Sequence, residues 1–150
     1  MTTIILHGDK IAIDSFINNG SIITCTNRDK RIFDGGAVFF VCGAVSDEMD
    51  IVNGFFGREY NHEACVSAYV RYEGINYDCG ISKKHGFWSE LIRDEGHKAM
   101  GSGGSMAIAA MDAGASMEKA MEIVSVRDPW TGGEIHIYDL RKFDNGELSQ

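Results

Sequence analysis

The chain has 150 residues, 44% of them hydrophobic, with 18 glycines, a single proline and a formal net charge of −8. That length fills one ordinary core and falls short of two, so a single domain over residues 1–150 is expected, with a flexible tail from about residue 141. No basic cluster exists to neutralise phosphates, no apolar run nears the roughly 20 residues of a membrane span, and the first 30 residues lack the blocks of an export signal, so neither nucleic acid nor membrane is expected as a partner and a cytoplasmic location is.

Residues 3–7 and 10–14 flank Gly8-Asp9, a two-residue turn that fits an antiparallel hairpin. Residues 21–26 and 31–33 are strand-like, and Asp34-Gly35-Gly36 turns the chain into Ala37–Cys42, apolar throughout and so expected to be a fully buried strand. A helix should follow, capped by Ser46, with Met49, Val52 and Phe56 on one face and an end at Gly54 or Gly57. Strands resume over 65–72 and 75–79, near 87–92 and 97–100. One helix then starts near Ser105 and runs to Asp112; a second is capped by Ser116 and ends before Pro129. A strand from Glu134 to Tyr138 completes an α+β order, consistent with two packed sheets and outer helices.

The four cysteines (Cys25, Cys42, Cys65, Cys79) form no CxxC pair and read as reduced thiols. The five histidines are scattered, and His62-Glu63 ahead of Cys65 lacks the spacing of an HExxH helix, so no metal or other cofactor is expected. The amino terminus carries more chemistry. Met1-Thr2-Thr3 runs straight into Ile4-Ile5-Leu6, and loss of Met1 leaves a threonine whose hydroxyl can attack while its own amine takes the proton.

Several motifs share this setting: Thr2-Thr3; Ile11-Ala12-Ile13-Asp14-Ser15; Asp29-Lys30-Arg31-Ile32; Cys42-Gly43-Ala44; Gly101-Ser102-Gly103-Gly104; and Arg127-Asp128-Pro129-Trp130-Thr131-Gly132-Gly133. In this order, at the ends of elements, they make the chain resemble the threonine peptidases of the proteasome superfamily, proteasome β-subunits and HslV-type peptidases, over nearly its full length. The resemblance implies a four-layer αββα sandwich of the N-terminal nucleophile hydrolase type. It also implies roles. Thr2 would be the nucleophile, with its α-amine as base; Lys30 would favour deprotonation of the hydroxyl; Asp14 would hold Lys30; and the Gly43 N–H would meet the oxyanion. Ser102, Asp128 and Thr131 would surround the terminal amine, Thr131 standing where proteasomal members usually carry serine.

The implied S1 wall comprises Ile17, Arg28, Ile32, Val41, Val45 and Met49. Five of these are apolar, so cleavage after Leu, Tyr, Phe or Met is expected, with Arg28 at the rim. The stretch Gly57 to Cys65 departs from the family. At 1.5 Å rise per residue it spans about 12 Å, too short for the second helix members carry there, which puts docking to an ATPase unfoldase in doubt. The expected activity is that of a threonine endopeptidase acting on peptides or unfolded proteins inside a self-assembled homo-oligomeric ring or double ring. The alternative is a catalytically silent proteasome-like subunit with a structural or regulatory role.

Overall fold

The computed structural model describes residues 2–145; Met1, whose removal the sequence reading requires, lies outside them. In chain order the elements are β1 (Thr3–His7), β2 (Lys10–Ile13), β3 (Ile17–Asn19), β4 (Ile22–Cys25), β5 (Arg31–Asp34) and β6 (Ala37–Gly43). After a 3-10 turn at Val45–Asp47 come α1 (Glu48–Phe55), β7 (Val66–Tyr72), β8 (Ile75–Ser82), β9 (Gly86–Leu91) and β10 (Lys98–Gly101). The last elements are α2 (Gly104–Asp112), α3 (Met117–Arg127), β11 (His136–Asp139) and a 3-10 helix at Leu140–Asn145. They group into two compact units, one made of residues up to Lys30 with Asp94–Asp139, the other of Arg31–Arg93 with the segment from Leu140.

The first unit is built on the hairpin read from Gly8-Asp9. Its arms pair in the register Ile4↔Ile13 and Leu6↔Ile11. β10 adds to the free side of β1 and β11 to that of β2, giving the antiparallel order β10-β1-β2-β11. Ile5 and Ala12 meet Ala107 and Met111 of α2 and Ala120, Met121 and Val124 of α3 in one buried cluster. A fully buried isoleucine removes enough apolar area to contribute about 1.5–3 kcal/mol, so this face fixes the strand register that delivers Thr2 and Asp14. Ser116 caps α3 as expected, its Oγ accepting the Lys119 N–H at 3.1 Å.

The second unit is a five-stranded antiparallel meander, β5-β6-β7-β8-β9. Ala37–Cys42 is buried throughout, as its unbroken apolar run requires. Phe39 and Val41 of β6, Val66, Ala68 and Val70 of β7, and Ile51 and Val52 of α1 form its core. The Phe55 ring meets those of Phe39, Tyr72 and Tyr77 edge-on, with centroids 5.4, 5.7 and 5.3 Å away. Phe143 of the last 3-10 helix is buried and its ring lies 6.0 Å from Phe33. Of the tail expected from about 141, residues 146–150 lie outside the described residues.

The α+β class holds, and residues 56–65 between α1 and β7 carry no helix, so the set is one helix short as the spacing requires. Other expectations need correcting. The strand expected over 21–26 is β4, but it pairs in a hairpin with a further arm, Ile17-Asn18-Asn19, whose asparagines have low strand propensity and gave no strand signal. Ser46 does not cap α1: it sits inside the 3-10 turn, Asp47 takes the N-cap position, and neither makes a side-chain cap bond. On α1, Val52 is buried and Phe56 packs against the same core as expected, but Ile51 takes the inward place expected of Met49, which is exposed. β8 runs on to Ser82, three residues past its expected end.

Candidate active site

Thr2 precedes β1 by one residue, and the strand pairing leads it into a set of buried polar groups. The Thr2 carbonyl accepts the Ser102 N–H at 3.1 Å. Asp14 follows the last residue of β2 and is fully buried. Its Oδ1 accepts the Lys30 Nζ at 2.8 Å and the Thr3 N–H at 3.3 Å, while Oδ2 accepts the Gly132 N–H at 3.0 Å. Lys30 Nζ also donates to Thr2 Oγ1 at 2.8 Å. A single ammonium therefore bridges a buried carboxylate and the hydroxyl of the candidate nucleophile. Burial pushes the Asp14 carboxyl above its ordinary range; the Lys30 ammonium and the two N–H groups pull against that shift. A cation in contact with the Thr2 oxygen favours the charge that oxygen acquires on losing its proton.

A second cluster adjoins the first through residues 2 and 3. Asp128 follows the end of α3, and its Oδ2 accepts the hydroxyls of Ser102 at 2.5 Å and Thr131 at 2.6 Å. Oδ1 accepts the Trp130 N–H at 3.1 Å. Burial raises this carboxyl, but the two hydroxyls and the N–H outweigh it, and Asp128 stays below the usual carboxylate range. Ser102 does not cap α2; Gly103 occupies that position without a side-chain bond, and the Ser102 hydroxyl is turned to Asp128.

The structure thus brings six of the seven expected catalytic residues, Thr2, Asp14, Lys30, Ser102, Asp128 and Thr131, into one hydrogen-bonded set within the first unit. A side-chain link between its two halves is Thr3, which sequence reading missed: its N–H binds Asp14 and its Oγ1 lies 2.6 Å from Thr131 Oγ1. The available signal was a hydroxyl leading the run Ile4-Ile5-Leu6, three consecutive residues with no polar side chain among them.

The seventh, Gly43, ends β6 in the second unit at φ 150°, and a Cβ there would stand 3.1 Å from the Cys65 carbonyl oxygen and the Val66 Cα. Of the expected S1 residues, Ile17 and Arg28 lie in the first unit, both half-buried. Ile32, Val41, Val45 and Met49 lie in the second. Val41 packs in its core with Ile32 against that core, whereas Val45 in the 3-10 turn and Met49 in the first turn of α1 are 46% and 49% exposed.

No protein-family profile matches the chain, and no curated protein does. Solved structures do. Eukaryotic HslV from Trypanosoma brucei matches with a TM-score of 0.65 at 19% identity, covering 91% of this chain and 97% of the other. BPH from Thiobacillus denitrificans matches with a TM-score of 0.62 at 14% identity, covering 91% and 95%. The same protein in complex with epoxomicin matches at 0.61 and 13%, covering 91% and 96%. The likeness shows the fold: this chain is built as HslV is, over almost the whole length of both. The resemblance read from the motifs is borne out at that level. No helix among the described residues is long and apolar enough to cross a membrane.

Proposed function

We propose that the chain is a threonine endopeptidase of the proteasome/HslV superfamily, with Thr2 as nucleophile once Met1 is removed. One observation carries this reading: Lys30 Nζ stands 2.8 Å from both Thr2 Oγ1 and Asp14 Oδ1. A solvated strand lysine would gain nothing from burial between a carboxylate and a hydroxyl, and its desolvation needs the charge pair to offset it. In the reaction, the Thr2 α-amine, with a reference pKa near ~8, takes the hydroxyl proton as Oγ1 bonds to the peptide carbonyl carbon. The protonated amine then gives that proton to the leaving nitrogen as the C–N bond breaks. Water, deprotonated by the same amine, cleaves the resulting ester and restores Thr2.

Ser102, Asp128 and Thr131 are proposed to hold the amine and set its protonation. The oxyanion donor, Gly43 N–H, and the S1 residues Ile17, Arg28, Ile32, Val41, Val45 and Met49 are assigned by motif. With five apolar members of six, cleavage after Leu, Tyr, Phe or Met follows. Oligomeric rings enclosing the nucleophiles and a cytoplasmic location complete the proposal, both supported by the resemblance to HslV-type peptidases.

The test joins intact mass with peptide hydrolysis. The active protein should lack Met1, and Thr2→Ala, which still allows Met1 removal, should lower hydrolysis of fluorogenic peptides about 1,000-fold or more with thermal unfolding and oligomeric state unchanged. Full activity in Thr2→Ala, or Met1 present on an active enzyme, would refute the mechanism. Met1 retained together with no hydrolysis would favour the silent subunit. A peptide library dominated by cleavage after Asp or Glu would mean that Arg28 faces inward and the apolar pocket is wrong.

A further inference from the structure

The second polar cluster fixes the position of every proton it contains. Asp128 is a carboxylate with acceptor oxygens only, so the Ser102 and Thr131 hydroxyls on its Oδ2 must both donate. Thr131 has then given its one proton, and towards Thr3 Oγ1, 2.6 Å away, it can only accept. Thr3 therefore donates to Thr131, and its own oxygen accepts the Gly103 N–H at 3.0 Å. The order runs from the Gly103 N–H through Thr3 and Thr131 to Asp128. Ser102 has likewise committed its proton to Asp128, so its oxygen faces its other neighbours with lone pairs alone. The main chain of Ser102 is held to the Thr2 carbonyl at 3.1 Å.

We propose that Thr3 is a positioning residue for the reaction at Thr2: its buried hydroxyl ties the Asp128–Thr131 pair to Gly103 and thereby keeps Ser102 oriented as an acceptor for the Thr2 α-amine. The inference rests on the proposed peptidase reading and adds to it a residue that never touches the substrate. Two further observations support it. Thr3 is fully buried, so no water can substitute for its hydroxyl. At Gly103 a Cβ would stand 2.7 Å from Thr3 Oγ1 and 2.2 Å from Val124 Cγ1, so the backbone approaches the hydroxyl as closely as only a glycine allows. Thr3→Val keeps the shape, deprives the Gly103 N–H of its acceptor and Thr131 of its donor, and so loosens the Gly103 backbone beside Ser102 while Asp128 still takes both hydroxyl protons. Thr3→Ser keeps both bonds. The ionisable side chains bound to this segment are Lys30, Asp14 and Asp128.

Two readouts separate this role from packing: steady-state peptide hydrolysis, and the pH dependence of acylation of the Thr2 α-amine followed by peptide mass. In Thr3→Val, kcat should fall about tenfold or more with KM within about twofold, since misplacement of the base acts on the chemical step. The acylation midpoint should move to lower pH by about half a unit, because an ammonium loses its ordered acceptor. Thr3→Ser should stay within about threefold of the parent with an unshifted midpoint, as expected when the hydroxyl alone matters. Thr131→Val breaks the same chain from the other side and should reproduce the shift, which keeps the test open if Thr3→Val fails to fold. An unshifted midpoint in both valine variants, or Thr3→Ser as impaired as Thr3→Val, would overturn the positioning role and leave the peptidase reading standing. A shifted midpoint in a protein whose parent form hydrolyses no peptide would uphold the role and overturn the peptidase reading. Met1 retained on the purified chain would overturn both.

Discussion

Lys30→Met is the most informative single perturbation, because it removes an ammonium and leaves the methylene stem, with consequences that depend on pH in a fixed direction. In the parent protein Asp14 is fully buried, and its remaining partners after the substitution would be the Thr3 and Gly132 N–H groups. Breaking a buried pair by deleting one partner costs about 3–5 kcal/mol, since the surviving charge stays desolvated. For a domain of this size that is a fall in melting temperature of roughly 6–20 °C. Burial already lifts the Asp14 carboxyl, and Lys30 is the principal influence lowering it, so the substitution raises it further. A carboxyl raised in the folded state contributes stability that is fully present below its unfolded value of about 3.9 and is lost as pH rises through its folded value. The deficit of Lys30→Met against the parent should therefore be smaller near pH 5, where the buried carboxyl can keep a proton, and larger near pH 8. Thermal unfolding of both proteins at the two pH values, at one protein concentration, measures it. Equal deficits at both pH values, or a deficit under about 3 °C at pH 8, would refute the buried pair and with it the argument for Lys30.

Burial pushes the Cys79 thiol up to about 12, so in the native protein it should resist alkylation at pH 8, whereas exposed Cys65 should react; peptide mapping after iodoacetamide treatment, with and without denaturant, distinguishes them. Ser116→Ala removes the side-chain bond that caps the first turn of α3 and should cost about 1 kcal/mol, read as a fall of roughly 2–4 °C in melting temperature with the proposed peptidase activity unchanged.

What could be read from the sequence was what depends on local order. The Ile4–Leu6 and Ile11–Ile13 arms name their own register, Ala37–Cys42 announces its burial by having no polar residue, and the ten residues between α1 and β7 leave too little chain for a further helix with the turns at its two ends. The 3-10 turn ahead of α1 was not legible, because Ser46 followed by acidic residues has the composition of a cap in any geometry, and the chain's path out of β6 decides whether it is used. Ser102 shows the same ambiguity from the other side. A serine before a helix reads as a cap, and only the arrival of Asp128, 26 residues later, gives its hydroxyl a stronger acceptor. Thr3 escaped because hydroxyl burial in a strand leaves no periodic signal; its partners, Gly103 and Thr131, are 100 and 128 residues away.

The connection that lacks a helix and the hydrogen-bonded polar set fall in different parts of the chain. Thr2, Asp14 and Lys30 come from the first thirty residues, and Ser102, Asp128 and Thr131 from the stretch Asp94–Asp139, so every side chain of the hydrogen-bonded set belongs to the first unit. The short connection from Phe56 to Cys65 lies wholly in the second, whose core of Phe39, Val41, Ile51, Val52 and the β7 valines is covered by α1 together with Ala64 and Tyr60 of that connection. A deletion there removes no donor or acceptor from the set and leaves its supporting cluster of Ile5, Ala12, Met121 and Val124 intact. The helix count of the second unit is therefore no argument against Thr2 as a nucleophile, a case that stands or falls on residues of the first unit alone.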